Sequence, residues 1–239
     1  MMLEDFLKRD FPGRLLFARV WGSMAHNTAK PESDVDFVAV YAAPTDEVLG
    51  LFGVRDTVVN KEGEKPDFQA HEVGKFCRLL LKGNPGILEC LFSEKFTYET
   101  GEWQALKAER RRFLSVQAVN QYVGYAKGQL QKLQAGTSLH TKGGKFCEKW
   151  GYHLIRILGD AKRIASGEDP VVWKEGNERD LLMKIRRHEI LQSEIEAVAR
   201  GLMDEINSRL EHPKIRGDGD AAFLNSWLLG IRKSNGRVA

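Results

Sequence analysis

The chain has 239 residues, enough for one large domain or two modest ones, and its 42% hydrophobic and 29% charged residues allow a buried core. A formal charge of +3 and a pI near 8.7 are compatible with an anionic partner such as a nucleotide or RNA without requiring one. Three cysteines without a CxxC pair argue against a disulfide framework or a thiolate zinc site, and no apolar run reaches membrane-spanning length. The start, "MMLEDFLKRDFPG", carries acids where a signal peptide would be apolar, so a cytoplasmic protein is expected.

Residues 2–10 read as a short amphipathic helix, stopped near Pro12 and Gly13. "RLLFARVW" (14–21) is a dense apolar run with the character of a buried strand. A polar loop, "GSMAHNTAKPES", leads into a second predicted strand, "DVDFVAVYAA" (34–43), and a third is expected over 54–60. "PDFQAH" (66–71) has short-strand character. From His71 the apolar spacing changes to that of a helix, with Val73, Phe76, Cys77, Leu80 and Leu81 on one stripe, and "GILECLFS" opens a second helical segment. Beyond residue 100 the periodicity is helical throughout. One long helix is predicted from Val116 to Leu133, another over 142–166, two more across 177–210 and a last one carrying Phe223, Leu224, Trp227, Leu228 and Ile231. The expected architecture is α+β, a small mixed sheet with flanking helices in residues 1–100, followed by a helical bundle in residues 101–239 packed on it.

Asp34 and Asp36 lie one residue apart, so on a strand both carboxylates share a face. Like charges so placed call for a cation, and a pair of Mg²⁺ ions is the natural candidate because hard cations take carboxylate and phosphate oxygens. Mn²⁺ is a possible substitute. Two ions need a third acid on a neighbouring strand. Asp67 is the best placed, and Glu72 is the runner-up at a helix start that already favours an acid. Gly22 and Ser23, which end the first strand, allow backbone to approach an anion closely, so their N–H groups and hydroxyl are candidates for holding the outer phosphates of a nucleotide.

An apolar strand, Gly-Ser, a loop of about ten residues and Asp-x-Asp in a second strand, here "FARVWGSMAHNTAKPESDVDFVAVY", resembles the signature of the DNA polymerase β-like nucleotidyltransferase superfamily. Two further blocks, "DFQAHEVGKFCRLLLKGNPGILECLF" and "KWGYHLIRIL" followed by "ERDLLMKIRRHE", are similar to the RlaP-type family within it, which is associated with RNA ligases and RNA repair. Met24, His26 and Asn27 stand where that family often has arginine, tyrosine and a second glycine; Asn27 tolerates a left-handed turn. The resemblance implies an NTP-dependent, two-metal nucleotidyltransferase with catalytic and metal-binding roles for Asp34, Asp36 and Asp67. An RNA 3′ end is the expected acceptor. A protein hydroxyl and a small molecule remain alternatives, as does a non-catalytic module that binds RNA or another partner.

Lys149, His153, Arg156 and Asp160 are spaced i, i+4, i+7 and i+11 along one helix face. The spacing matches a block of that family, which implies contact of Lys149, His153 and Arg156 with a triphosphate or an RNA backbone. The plainer alternative is a solvated face with an Arg156–Asp160 pair. Lys142 and Lys145 could join by position. Trp103, Trp173 and Trp227 are expected in the core. Sequence leaves the choice of NTP and the oligomeric state open.

Overall fold

The computed structural model describes residues 3–60, 64–136 and 147–236. Lys142 and Lys145, and the predicted start of their helix, lie outside the described residues. The elements in chain order are α1 (Leu3–Leu7), β1 (Arg14–Trp21), the single turn α2 (Gly22–Ala25), β2 (Asp36–Ala42), α3 (Thr45–Leu49), β3 (Thr57–Val59), β4 (Phe68–Glu72), α4 (Val73–Leu81), α5 (Pro85–Phe92), β5 (Thr97–Glu99) and α6 (Gly101–Ala108). A 3₁₀ turn (Arg110–Phe113) leads to α7 (Val116–Ala135), α8 (Glu148–Ala165), α9 (Gly176–Arg186), α10 (Gln192–Glu211) and α11 (Ala221–Ser234). The protein is a mixed α+β fold with a five-stranded sheet and a helical C-terminal half, as its patterning predicts.

The sheet runs β3-β4-β2-β1-β5, with β2 and β4 parallel and the other neighbours antiparallel. The parallel pair is possible because the chain crosses from β2 to β4 by way of α3 and the edge hairpin strand β3. Alternation divides β2 cleanly. Phe37, Ala39 and Tyr41 face α1, where Phe6 stacks on Phe37 at 4.4 Å. Val38, Val40 and Ala42 face the other way, into an apolar cluster with Phe76, Leu80, Leu88 and Trp103. Asp36 continues this second alternation and so points to the helix-covered side.

The helices on that side start where their capping chemistry places them. The Glu72 carboxylate accepts from Gly74 N at 2.6 Å and opens α4, burying Val73, Phe76, Cys77 and Leu80. Asn84 accepts from Ile87 N at 3.2 Å, with Pro85 at the first turn of α5. Ser115 caps α7, which ends at Gly136 with φ +54°. The longest buried face belongs to α8, which packs against α7, α9 and α10.

One apolar cluster runs from Leu16 in the sheet through α7 and α8 to Ile231 in α11, so burial is continuous across residue 100. The last helix also returns to the sheet: Arg232 pairs with Glu72 at 2.7 Å and Asn235 donates to Ala42 O and Ala43 O. Each fully buried large apolar side chain in such a cluster contributes about 1.5–3 kcal/mol.

Three local expectations need correction. The second strand begins at Asp36 rather than Asp34, because the chain from Pro31 to Val35 turns before it can pair. The 54–60 strand shrinks to Thr57–Val59. A fifth strand, Thr97–Glu99, pairs with β1 where patterning predicts none; three residues are too few to show alternation.

Candidate active site

Gly22 has φ +68°, and a β-carbon there would lie 2.9 Å from Asp36 Oδ2, so the turn that ends β1 is pressed against the strand that starts with Asp36. The antiparallel register pairs Trp21 with Asp36 and produces this contact. Across β2, the parallel register pairs Phe37 with Phe68, and Phe37 N donates to Asp67 O at 2.9 Å. Asp36 and Asp67 are thus neighbours at the ends of adjacent strands, with Asp34 just upstream. Burial raises the Asp36 pKa, the charges of Asp67 and Asp34 add to the rise, and Lys65 and Lys149 oppose it.

Lys65 Nζ lies 2.9 Å from Asp34 Oδ2 and 3.5 Å from Asp67 Oδ2. A lysine ammonium thus bridges two of the three carboxylates, all exposed or partly exposed, and their oxygen-only donor chemistry is of the kind a hard divalent ion takes. In this arrangement, no group of three or more His, Cys, Asp or Glu side chains among the described residues converges as a metal site.

A cavity of about 500 Å³ opens beside this corner. Gly22, Ser23, Asp34 and Asp36 line one side, and Lys149, His153 and Arg156 of α8 line the other. The structure therefore brings together seven of the eight sequence-predicted residues around one space. Asp67 stands outside its wall, coupled to it through Asp36 and Lys65. Asp160 turns away. It is fully buried and pairs with Lys174 at 2.9 Å and Arg163 at 3.1 Å, so this α8 face runs from an exposed Lys149 to a buried Arg156 and Asp160, and a solvated face with an Arg156–Asp160 pair does not describe it.

Arg156 has a partner that sequence reading did not find. Its Nη1 donates to Oε1 of Glu89, which is 1% exposed on α5. The fully buried Arg19 of β1 reaches the same carboxylate at 3.7 Å. Burial works against the Arg156 charge, but Glu89 outweighs it and raises the pKa above the usual arginine value. His26 Nε2 lies 3.6 Å from Glu89, yet burial and the two guanidinium groups hold the imidazole neutral while Val172 O accepts from its Nδ1 at 3.0 Å. His153 is likewise held neutral, its pKa lowered to about 3 by burial and by Arg156 and Lys149. The signal for Glu89 was available: a lone acid in the apolar helix "PGILECLF" must have a buried cation.

The loop from Met24 to Thr28 is held by the helical half. Asn27 adopts φ +57°, as its side chain allows. Its Nδ2 donates to Lys174 O at 3.0 Å, Lys174 N donates to His26 O at 3.2 Å, and Arg179 Nε donates to Asn27 O at 2.7 Å. Thr28 and Tyr152 share a hydroxyl hydrogen bond of 2.8 Å, and Arg186, which also lines the cavity, donates to Thr28 O. His26 and Asn27 thus meet partners supplied by this chain. Of the three tryptophans, Trp103 is fully buried, Trp227 is partly buried against the core, and Trp173 is half-buried with Lys95 stacked over its ring at 4.0 Å.

Residues 3–228 match the family described as RlaP, an RNA repair pathway DNA polymerase beta family. The chain belongs to that family. It is also 35% identical over 146 residues to an uncharacterized protein of Methanocaldococcus jannaschii, covering 60% of this chain and 54% of the relative, so it spans about half that relative's length. A nucleotidyltransferase-like protein from Exiguobacterium sibiricum aligns at 15% identity and a TM-score of 0.34, over 94% of this chain and 75% of that one. No helix among the described residues is long and apolar enough to cross a membrane.

Proposed function

We propose that this RlaP-family chain transfers a nucleoside monophosphate from an NTP to a hydroxyl, with an RNA 3′ end as acceptor. The observation that carries the reading is the single cavity with Gly22, Ser23, Asp34 and Asp36 on one side and Lys149, His153, Arg156 and Arg186 on the other. Carboxylates facing cations across about 500 Å³ suit a triphosphate.

In this reading the acceptor oxygen attacks the α-phosphorus and the bond from that phosphorus to the β-bridging oxygen breaks. Pyrophosphate leaves with the electron pair, and the hydroxyl proton is lost to solvent. Gly22 N–H and the Ser23 hydroxyl hold the outer phosphates, and Lys149 and Arg186 balance their charge. Arg156 adds a fixed positive group, its direction set by Glu89. His153, neutral, donates or accepts a hydrogen bond without adding charge. Asp34, Asp36 and Asp67 would hold Mg²⁺, or Mn²⁺ in its place. When bound, such ions supply charge neutralisation at the leaving phosphates and a lower pKa at the attacking hydroxyl. Lys65 must then give up its hold on Asp34 and Asp67. The three cysteines are free and buried, which fits a reducing cytoplasm.

Incubation with labelled NTP and Mg²⁺, plus RNA or protein, tests the reading. Label at an RNA 3′ end supports it. Label on protein selects nucleotidylylation of a protein hydroxyl instead, and RNA binding without label selects a non-catalytic module.

A further inference from the structure

A second cavity, of about 230 Å³, adjoins the first and shares Trp21, Asn84 and Gly86 with it. Its polar edge is made by Gln69 and His71 of β4. Alternation puts Asp67, Gln69 and His71 on one face of the chain, in steps of about 7 Å. A molecule whose hydroxyl sat at Asp67 and whose body followed β4 would reach this cavity.

His71 is only 5% exposed, and its Nδ1 has no hydrogen-bond partner among the described residues. A buried polar atom left unpaired is unfavourable, so a partner is expected in the occupied state. Burial, with Lys75 nearby, lowers the His71 pKa to about 4 against the opposing charge of Asp56, so the ring is neutral and offers one donor and one acceptor. Lys75 also borders the cavity, but its ammonium is engaged by Asp56 at 3.1 Å and Thr57 at 2.7 Å. The cavity is therefore built for an uncharged group with a polar edge rather than for a phosphate.

We propose that this cavity is the acceptor subsite and takes the terminal nucleobase of an RNA strand, with Gln69 and His71 bonding its edge and Trp21 as an aromatic wall. The proposal rests on the reading of the main cavity as the NTP site. A flat heterocycle presents donors and acceptors along its rim and a π-face to an aromatic wall, which matches these groups. A serine side chain placed at Asp67 brings no flat ring to the Trp21 wall, and a tyrosine ring has no rim donor or acceptor beyond the hydroxyl already placed at Asp67.

The test uses the full chain, Mg²⁺, labelled NTP and two RNA oligonucleotides that differ only in whether the terminal ribose carries a base. The base-less acceptor is expected to show a KM raised about tenfold, the factor of one lost buried hydrogen bond. His71→Phe and Gln69→Leu should each raise the KM for the intact RNA by about tenfold, leave the KM for NTP within about twofold, and narrow the gap between the two acceptors. Gln69 is exposed, so its variant guards against a folding defect at His71. Equilibrium binding of the same RNAs without NTP should follow the same order. Equal KM values for both acceptors, or variants with unchanged KM, overturn the subsite while leaving nucleotidyl transfer standing. Label on protein and none on RNA overturns the RNA acceptor. Loss of NTP binding to the unmodified chain would overturn the main-cavity reading as well.

Discussion

The position a β-carbon would take on Gly22 lies 2.9 Å from Oδ2 of Asp36, so the end of the first strand and the start of the second are fitted to each other at the site. Gly22→Ala should therefore act twice. An L residue at φ +68° costs about 1–2 kcal/mol, and the added methyl displaces the Asp36 carboxylate. Nucleotidyl transfer is expected to fall about 100-fold, the scale of a roughly 1 Å misplacement, while thermal unfolding shows a drop of only a few degrees. Single-turnover transfer and a melting curve on the same preparation check both halves.

Glu89 holds two buried arginines, and removing one partner from such a cluster leaves uncompensated charge. Glu89→Gln should cost about 3–5 kcal/mol in denaturant unfolding. Arg156→Met in the same chain should recover part of that loss, because it removes a charge that Glu89 no longer balances. Independent, additive effects in the double-mutant cycle would show that the two side chains are not coupled.

The turn that follows Gly22 and Ser23 is tied to the helical half by Thr28 and Arg179. Thr28→Val removes the hydroxyl's bond to Tyr152 and its longer one to Ser23 O, and Arg179→Ala removes the bond to Asn27 O, a loss on the order of 1 kcal/mol in each case. Both should raise the KM for NTP by about fivefold, the factor that energy represents, with a smaller change in kcat. Steady-state kinetics over a range of NTP concentrations separates the two constants.

Acid sensitivity should come from histidines buried in the neutral form. His71 has its pKa lowered to about 4 and His153 to about 3, against an ordinary value of 6.5. Below 6.5 the unfolded chain takes up protons that the folded chain refuses. The contribution is therefore fully present above pH 6.5 and is lost progressively as pH falls towards 3. His71 is faced by Lys75 and Asp56, and His153 by Arg156, Lys149, Glu89 and Arg186. Unfolding midpoints measured from pH 7.5 down to 5 should decline, and His153→Gln should make the decline shallower.

Much of the fold and the strand-side wall of the candidate cavity could be read from local pattern. The alternation of 36–42 and the 3.6-residue stripe of 73–81 are each contained in one segment, and Gly22, Ser23, Asp34 and Asp36 are separated by a single loop. The partners of Arg156 and Asp160 were not visible, because both sit on α8 while Glu89 and Lys174 come from α5 and from the segment before α9. Spacing on one helix offered an Arg156–Asp160 pair as an alternative, and tertiary packing gave each a different partner. Lys65, Tyr152 and Arg186 reach the site in the same way, from elements whose approach depends on the packed core. The strand Thr97–Glu99 is too short to carry a period of its own.

Transfer of label from NTP by the Asp34→Asn, Asp36→Asn double variant, with Mg²⁺ and RNA present, tests the central claim most directly. The two carboxylates are partly exposed, so the variant should stay folded by circular dichroism. The account predicts that transfer falls to background while the fold persists. Transfer at the level of the unmodified chain would contradict it.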